Sequence, residues 1–405
     1  MRGHRVIARN TVLCLGLSQL ILWGITYYLI GGFGELIVAD LNWSRDAVYG
    51  GFAVALVAMG LTSPVVGRAI DRHGGRKVMI AGSLVSALGC AGLALSHDLW
   101  SYYLCWIVLG FAMRLTLYDA AFAALARIGG PQARKPMAQI TLLGGLASTT
   151  FWPIGHILAE YLGWRGAVFV YAGIALATLP LHFALPNDRY EARPVGDTAA
   201  TPSRPLAVTK RQIVVASALY MIVTASTNFL NAGMSAQMIA ILSGLGLAAS
   251  AAVWISTLRG IGQSAARLCE VMFGQRIHPL TLDVIATAIL PFCFIAGLFG
   301  GSSAEAAIAF ALLYGVGNGL VTITRGTLPL VLFDHRTYGS FVGQLIAPSF
   351  LFSAAAPITY AVVMDRFGPQ SALYLSAALA AVTLLAAIAL KWGFEDKERG
   401  KAGLD

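Results

Sequence analysis

Arginine residues inside apolar segments are the feature of this sequence that points most directly to chemistry. Four of them lie at bilayer depth: Arg114, Arg259, Arg267 and Arg325. The acids at comparable depth are Asp119 and Glu270. A charge at the centre of a bilayer costs roughly 3 kcal/mol or more, so these side chains must face a cavity or another helix. Because a planar guanidinium binds carboxylates and phosphates with paired hydrogen bonds, the excess of arginine predicts a site for a small organic anion.

Other polar side chains recur every three or four residues in the same runs, which places them on one face of a helix. The residues that we expect to bind substrate are Arg114, Tyr118, Arg259, Gln263, Asn228, Asn231, Asn318, Thr322, Arg325, Tyr27 and Trp152. The alternative for the amides and hydroxyls is structural, since such groups also join helices to one another in membranes.

Three titratable residues are candidates for proton coupling: Asp119, Glu270 and His156. Burial and nearby charges shift the pKa of a carboxyl group, and a histidine titrates near neutral pH. Each also has a structural reading. Asp119 lies about 140° around the helix from Arg114, at ~100° per residue, and could simply neutralise Arg114 or a nearby arginine. Glu270 is one turn from Arg267 and could form an ion pair with it, and His156 could be a hydrogen-bonded packing residue.

The composition indicates which elements must position these residues. The chain has 405 residues, of which 57% are hydrophobic and 12% charged, and its mean hydropathy is +0.72. A soluble domain is about a quarter charged. Since a spanning helix needs about 20 apolar residues, the chain has room for about a dozen spans. We therefore predict an all-α polytopic membrane protein.

The apolar runs predict twelve transmembrane helices, here called spans 1 to 12. Their approximate ranges are 10–35, 47–67, 78–97, 99–126, 137–160, 166–185, 212–242, 245–271, 281–300, 304–333, 338–363 and 370–391. The one long polar stretch between them is rich in proline and charge and predicts a linker. The predicted organisation is an N-terminal six-helix bundle at 1–185, a cytoplasmic linker at 186–211, a C-terminal six-helix bundle at 212–391 and a cytoplasmic tail at 392–405.

The basic residues predict the orientation. Most of the 28 Lys and Arg residues fall near the termini, in the linker and in the loops on the same side, whereas Arg45, Arg165 and Arg366 lie in the opposite loops. Lys and Arg are favoured in cytoplasmic loops, so we expect an inner (plasma) membrane protein with both termini cytoplasmic. The formal charge of +9 is thereby explained as an orientation signal, and nucleic-acid binding is disfavoured.

Other chemistries find little support. The five cysteines lie in apolar runs and form no CxxC or Cys/His cluster, so neither a disulfide framework nor a metal site is indicated. No nucleophile–base pair is visible, and we expect neither enzymatic activity nor a cofactor. The expected partners are a small-molecule substrate and the lipid bilayer, with the protein acting as a monomer.

The loop after span 2, GRAIDRHGGRK at residues 67–77, concentrates charge between glycines. Glycine allows close helix approach and tight turns, and an aspartate can accept hydrogen bonds from arginines or from the N-terminus of another helix. We therefore predict a gate on the inner face. Its residues are Gly67, Arg68, Asp71, Arg72, Gly74, Arg76 and, from span 8, Arg267. The alternative is a basic loop that only sets the orientation.

This loop resembles the signature Gly-x-x-x-Asp-Arg-x-Gly-Arg-Arg/Lys of the major facilitator superfamily, with one additional glycine. The halves also repeat: LGFAMRL around Gly110 matches YGVGNGL around Gly315, and Pro153 corresponds to Pro357. The resemblance implies twelve helices in two pseudo-symmetric six-helix bundles. It further implies a substrate site between the bundles and transport by alternating access.

Two shorter stretches, WSR at 43–45 and GWR at 163–165, resemble the bacterial monocarboxylate-porter and oxalate/formate-exchanger branch. The expected function is secondary transport of a small, monocarboxylate-like organic anion by proton coupling or exchange. The first alternative is proton-driven efflux of drugs or siderophore-like molecules, although span 5 departs from the drug-antiporter signature at Trp152 and His156. The second alternative is a non-transporting membrane receptor, which would require a large extramembrane domain.

Overall fold

The computed structural model describes residues 7–190, 205–273 and 276–402, and within these residues the chain is almost entirely helical and contains no strand. Residues 191–204 of the predicted linker and 403–405 of the predicted tail lie outside the described residues. The helices follow one another in the order predicted for twelve spans. The all-α polytopic fold is confirmed, and the chain is a multi-pass membrane protein.

The N-terminal half contains spans 1 to 6. Span 1 consists of Arg9–Leu22, the π-helical turn Trp23–Tyr27 and Leu29–Leu41; span 2 is Arg45–His73; span 3 is Gly75–Leu95; span 4 consists of Leu99–Thr116 and Tyr118–Gly129. Span 5 begins with Arg134–Gly144. The segment Ala147–Ala177 continues span 5 as far as a sharp turn at Gly163 and then forms span 6, which ends with Leu179–Phe183.

The C-terminal half contains spans 7 to 12 in longer, continuous helices. They are Lys210–Gly244, Ala249–Phe273, Pro279–Leu298, Ala304–Leu332, Tyr338–Phe367 and Pro369–Ala402. Nine helical segments of the described chain are long and apolar enough to cross a membrane, and one of these, Leu99–Phe183, holds spans 4 to 6. Span 8 is not among them, because its polar stripe lowers its hydropathy.

The ends of the spans follow from local chemistry. Thr209 and Gln212 form a reciprocal capping box at the start of span 7, and the Asp98 side chain accepts a hydrogen bond from Ser101 N (3.0 Å) at the start of span 4. Gly163 and Gly368 end spans 5 and 11 with φ of 67° and 83°, a conformation that favours glycine. These two turns occupy equivalent positions in the two halves, which supports the predicted repeat.

Three spans of the N-terminal half are interrupted near the middle of the protein. Span 1 widens into its π-helical turn, span 4 breaks at Leu117, where the backbone is extended, and span 5 breaks between Gly144 and Ala147. Such irregular backbone is tolerated in a membrane where it is buried in protein or lines a cavity. We therefore expect a cavity at the level of these interruptions.

The two halves pack most extensively through span 2 against span 11, and span 5 also contacts span 8. Small residues make the first crossing close. A Cβ atom on Gly67 would lie 1.9 Å from the carbonyl oxygen of Gly339, and Ser63 Oγ donates to the Gly343 carbonyl (2.7 Å). Small residues at such crossings let two backbones approach within a membrane, where packing rather than the hydrophobic effect holds helices together.

Further contacts close the end of the molecule that carries the linker, here called the linker face. Arg134 Nη2 donates to the Ile277 carbonyl, Arg189 Nη2 donates to the Arg336 carbonyl (3.3 Å), and the Tyr190 ring meets the imidazole of His335 edge-on. Each contact joins the N-terminal half or the start of the linker to the C-terminal half. The two bundles are therefore held together at this face.

Replacing Gly67 by Ala tests the close crossing. The added methyl group meets a backbone oxygen that cannot rotate away, so the helices must move apart, at a cost of about 1–3 kcal/mol. We expect a lower melting temperature for the purified protein. Gly173→Ala is the matched control, because a Cβ atom there has nothing within 4 Å. Equal melting temperatures for the two variants would contradict the crossing described here.

Candidate substrate cavity and gate

A polar cavity lies between the two halves at the level of the interrupted helices. The space within its lining, counted together with the open solvent at its mouth, is about 510 Å³. It is lined by Trp23, Tyr28, Tyr118, Gly144, Thr227, Asn228, Asn231, Gln263, Arg267, Asn318, Val321, Thr322 and Arg325. Spans 1, 4 and 5 face spans 7, 8 and 10 across it, so both halves contribute side chains.

An ion pair between Asp119 of span 4 and Arg325 of span 10 joins the halves beside this cavity. The Nε atom of Arg325 donates to Asp119 Oδ1 (3.1 Å), and Nη2 donates to the same oxygen. The third donor, Nη1, bonds to Asn228 Oδ1 (2.9 Å), and Asn228 Nδ2 donates to Ser349 Oγ (2.9 Å). Asp119 is buried and Arg325 is 14% exposed, so each stabilises the other where water is scarce.

Arg267 of span 8 presents the second guanidinium of the cavity. It is only 2% exposed, and its Nη1 atom donates to the Thr141 carbonyl of span 5 (2.8 Å). Its guanidinium lies 5.8 Å from the ring centre of Tyr118, and its buried Nε atom has no hydrogen-bond partner among the described residues. Among the described residues, no carboxylate lies within 4 Å of the Arg267 guanidinium. Arg267 is therefore a cation held by neutral groups.

Amide side chains line the C-terminal side of the cavity. Asn231 Oδ1 accepts hydrogen bonds from Asn318 Nδ2 (3.2 Å) and from Arg259 Nη2 (2.6 Å). Arg259 also donates to Ser235 Oγ (3.0 Å) and lies against the ring of Tyr314. Arg259 lies outside the cavity lining and orients the amide of Asn231 through this hydrogen bond. The amides of Asn231 and Asn318 themselves line the cavity.

Seven of the predicted substrate residues line the cavity: Tyr118, Asn228, Asn231, Gln263, Asn318, Thr322 and Arg325. Arg114, Arg259 and Tyr27 do not, and the side chain of Trp152 lies outside the described residues. Arg114 Nε bonds to Ser63 Oγ (2.9 Å), next to the crossing of spans 2 and 11. Tyr27 packs into an aromatic cluster, with its ring 4.7 Å from that of Trp23.

The break at Leu117 explains why span 4 departs from the expected helical geometry. Arg114 ends one helix and turns towards span 2, whereas Tyr118 and Asp119 begin the next and turn towards the cavity and span 10. The prediction of a fixed angle between Arg114 and Asp119 was therefore wrong, because it assumed one continuous helix. The counterion of Asp119 is an arginine of the opposite half.

The other proton-coupling candidates occupy different surroundings. Glu270 is 3% exposed with both carboxylate oxygens unbonded, and its electrostatic partner is Arg134 of span 5. The possible ion pair with Arg267 is not formed among the described residues. His156 does not reach the cavity: its side chain is 75% exposed, 3.3 Å from Glu160 near the far end of span 5. Its imidazole therefore points away from the packed side of span 5.

Sequence reasoning missed some features of the site. The residues that line the cavity without having been predicted as substrate residues are Trp23, Tyr28, Gly144, Thr227, Val321 and Arg267, the last of which was assigned to the gate. Trp23 could have been found, since it shares a helical stripe with Tyr27, whereas Val321 carries no polar signal. The buried Asp283 of span 9, which accepts a hydrogen bond from Thr324 Oγ1 (2.6 Å), was also overlooked.

The predicted gate loop meets the C-terminal half at the linker face. Both carboxylate oxygens of Asp71 accept backbone hydrogen bonds at the N-terminus of span 11, from Gly339 N (2.9 Å) and Ser340 N (2.6 Å). An anion at a helix N-terminus satisfies unpaired amides and interacts favourably with the helix dipole. Gly74 turns the chain with a φ of 87°, which favours glycine.

The basic residues of this loop divide into two groups. Arg76 Nε donates to the Phe183 carbonyl (2.8 Å) and so ties the loop to the end of span 6. Arg68 and Arg72 are exposed. The gate contact is therefore made by the aspartate and the helix crossing, and Arg68 and Arg72 face the surroundings of the linker face. The gating role of the loop stays a prediction.

Two six-helix bundles enclosing a polar cavity at bilayer depth define a multi-pass membrane carrier. Residues 15–346 match the family model described as Major Facilitator Superfamily, which is most of the chain. The protein belongs to the Major Facilitator Superfamily, as its signature loop indicated. It is a transporter of this family, whose members bind small-molecule substrates within the membrane.

Three curated relatives show the range of similarity. An "MFS-type transporter" of Gibberella moniliformis (strain M3125 / FGSC 7600) is 25% identical over 345 residues, which is 82% of this chain and 76% of the relative. The "Multi-drug resistance efflux pump PmrA homolog" of Lactococcus lactis subsp. lactis (strain IL1403) is 28% identical over 47% of this chain and 48% of its own length. "Monocarboxylate transporter 4" of Rattus norvegicus is 21% identical over 70% of this chain and 62% of its own length.

Two solved structures share the fold. The human organic anion transporter MFSD10 (TETRAN) has a TM-score of 0.72 and 16% identity, covering 94% of this chain and 99% of its own. The proton:xylose symporter XylE also has a TM-score of 0.72, with 14% identity and 95% coverage of both chains. At these identities the comparison shows the two-bundle fold alone.

Replacing Asp71 by Asn tests its contact with span 11. An amide offers one oxygen where the carboxylate offers two, so one backbone donor loses its partner and the linker face should open more often. We expect faster labelling of Val321→Cys, in a protein lacking the five native cysteines, by a membrane-impermeant thiol reagent applied at the linker face. Asp98→Asn is the matched control, since Asp98 caps span 4 within its own half. Unchanged labelling in Asp71→Asn would contradict the assigned contact.

Proposed function

We propose that this transporter moves a small, monocarboxylate-like organic anion by alternating access, with proton coupling or exchange as the driving force. The observation that carries the proposal is the state of Arg267. This buried guanidinium lines the cavity, is bonded to a neutral carbonyl and has no carboxylate partner among the described residues. A buried charge in that state gains most from an anionic ligand.

The rest of the lining suits the same ligand. Asn228, Asn231, Gln263 and Asn318 supply amide donors without adding negative charge, whereas the Thr322 hydroxyl donates to the Asn318 carbonyl. Within the described residues the lining contains no acid, and Arg325 is already neutralised by Asp119. A small carboxylate at Arg267 would therefore be surrounded by hydrogen-bond donors and aromatic rings.

The relatives add limited support of their own. Several are named monocarboxylate transporters, including the rat protein at 21% identity and the human Monocarboxylate transporter 11, which is 30% identical over 45% of this chain. Sequence identities this low do not by themselves establish that two transporters share a substrate. They agree with the class of substrate inferred from the cavity.

Efflux of aromatic or amphipathic drugs is the second candidate function. Trp23, Tyr28 and Tyr118 line the cavity and offer stacking surfaces for such molecules. The efflux-pump relative from Lactococcus lactis matches about half of this chain. A cationic drug would, however, meet Arg267 without an unpaired acid in the described lining. Binding of small carboxylates against a panel of cationic dyes separates the two functions.

For the orientation we propose that the linker face is cytoplasmic and that the protein resides in the inner (plasma) membrane. The distribution of Lys and Arg supports this assignment. The contacts of Asp71, Arg134 and Arg189 close this face, so the cavity in this structure would open away from the cytoplasm.

Replacing Arg267 by Gln tests the anion site. Loss of a charge-assisted hydrogen bond should weaken binding of a small carboxylate by about tenfold or more. Arg267→Lys keeps the charge but not the planar fork, so we expect an intermediate effect. Arg366→Gln, at an exposed arginine near the end of span 11, is the matched control. Equilibrium binding to the purified protein is the measurement, and wild-type affinity in Arg267→Gln would contradict the proposed function.

Replacing Glu270 by Gln tests proton coupling. Glu270 is the strongest candidate, because it is buried, its oxygens are unbonded, and it lies one turn from Arg267. We expect reconstituted Glu270→Gln protein to lose uptake driven by a proton gradient and to keep substrate exchange, which needs no net proton movement. Glu160→Gln, at an exposed acid of span 5, is the control. Wild-type stimulation by the gradient in Glu270→Gln would remove Glu270 from the coupling mechanism.

A further inference from the structure

The two guanidinium groups that line the cavity are occupied differently. Arg267 keeps its Nε atom unbonded among the described residues, and its Nη1 atom reaches only a backbone carbonyl. Arg325 uses Nε and Nη2 on Asp119 and Nη1 on Asn228. The cavity therefore contains one anion position that is open and one that the protein fills with its own carboxylate.

We propose that Asp119 is a specificity-determining residue that occupies the second anion position and restricts the cavity to substrates with a single carboxylate. This inference rests on the proposed function, since it presumes that Arg267 receives the carboxylate of the substrate. A monocarboxylate binds at Arg267 and leaves the pair of Asp119 and Arg325 intact. A dicarboxylate must place its second charge elsewhere in the same cavity.

A second substrate carboxylate would either displace Asp119 from Arg325 or lie close to Asp119, and both arrangements cost free energy. A second substrate carboxylate that took Arg325 would leave the Asp119 carboxylate, whose side chain is only 8% exposed, buried without its partner. Breaking a buried pair in this way is strongly unfavourable. A second carboxylate that stayed near the intact pair would instead be repelled by Asp119, and a low dielectric strengthens that repulsion.

The surroundings of the pair strengthen the argument. Arg114 lies close enough to interact with both Asp119 and Arg325, so removal of the Asp119 charge leaves two neighbouring cations without an anion. The other buried acids do not fill this role. Glu270 faces Arg134, and Asp283 accepts a hydrogen bond from Thr324 behind the cavity.

The test compares butyrate with succinate, which have the same number of carbon atoms and differ by one carboxylate. Binding to the purified full-length protein is followed by calorimetry. The wild-type protein should prefer butyrate. Asp119→Asn should tighten succinate binding by about tenfold to a hundredfold relative to butyrate, because Arg325 gains a free donor pair for the second carboxylate.

Three further variants keep the result interpretable. Asp119→Ser removes the same charge with a smaller side chain and should give the same gain. The double variant Asp119→Asn with Arg325→Gln removes the second cation as well, so the gain in succinate binding should disappear. Asp283→Asn is the matched control, because it removes a buried acid that does not pair with a cavity arginine. It should keep the wild-type preference.

The outcomes separate this inference from the proposed function. If Arg267→Gln loses butyrate but neither Asp119 variant gains succinate, the anion site stands and the role of Asp119 is refuted. Succinate binding to the wild type as tightly as butyrate would refute it too. If neither acid binds to the wild type or to the Asp119 variants, both proposals fail together.

Discussion

The pairing of buried arginines is the constraint on which the rest of this structure depends. A guanidinium at bilayer depth needs partners, and a hydrocarbon environment offers none. Arg325 finds a carboxylate in the opposite half, and Arg259 finds Asn231. Arg114 bonds to neutral Ser63 beside the helix crossing, outside the cavity lining, and its Nη1 atom has no partner among the described residues. Arg267 reaches only the Thr141 carbonyl, so its charge stays available in the cavity. The chemistry of the site follows from this unequal distribution of partners.

The helix crossings decide which arginine meets which partner. Small residues bring span 2 within backbone contact of span 11, and the two halves are thereby held at a separation that Arg325 and Asp119 can bridge. The breaks in spans 1, 4 and 5 turn Trp23, Tyr118 and Gly144 towards the cavity. Continuous helices in the other half carry the amide stripes. The two bundles have equivalent turns at Gly163 and Gly368, but they contribute different chemistry to the site.

The sequence predicts much of this site because helical periodicity is a strong signal where helices are continuous. Asn228 and Asn231 of span 7 and Asn318 and Thr322 of span 10 all line the cavity, as their spacing indicated. The same reasoning fails at Leu117, where an extended residue separates Arg114 from Asp119 and turns the two away from each other. Periodicity also says nothing about partners in another helix.

Several contacts between the halves lie at the cavity or on its linker side, so opening that face requires breaking them. The bond from Arg267 to the Thr141 carbonyl is one, and the pair of Asp119 and Arg325 is another. A substrate carboxylate is a stronger partner for Arg267 than a neutral carbonyl, because it carries the opposite charge and can accept two N–H groups of the planar guanidinium at once. A bound anion would therefore lower the cost of giving up the contact with span 5. In this way the loaded carrier would rearrange more readily than the empty one, as a carrier that does not leak requires.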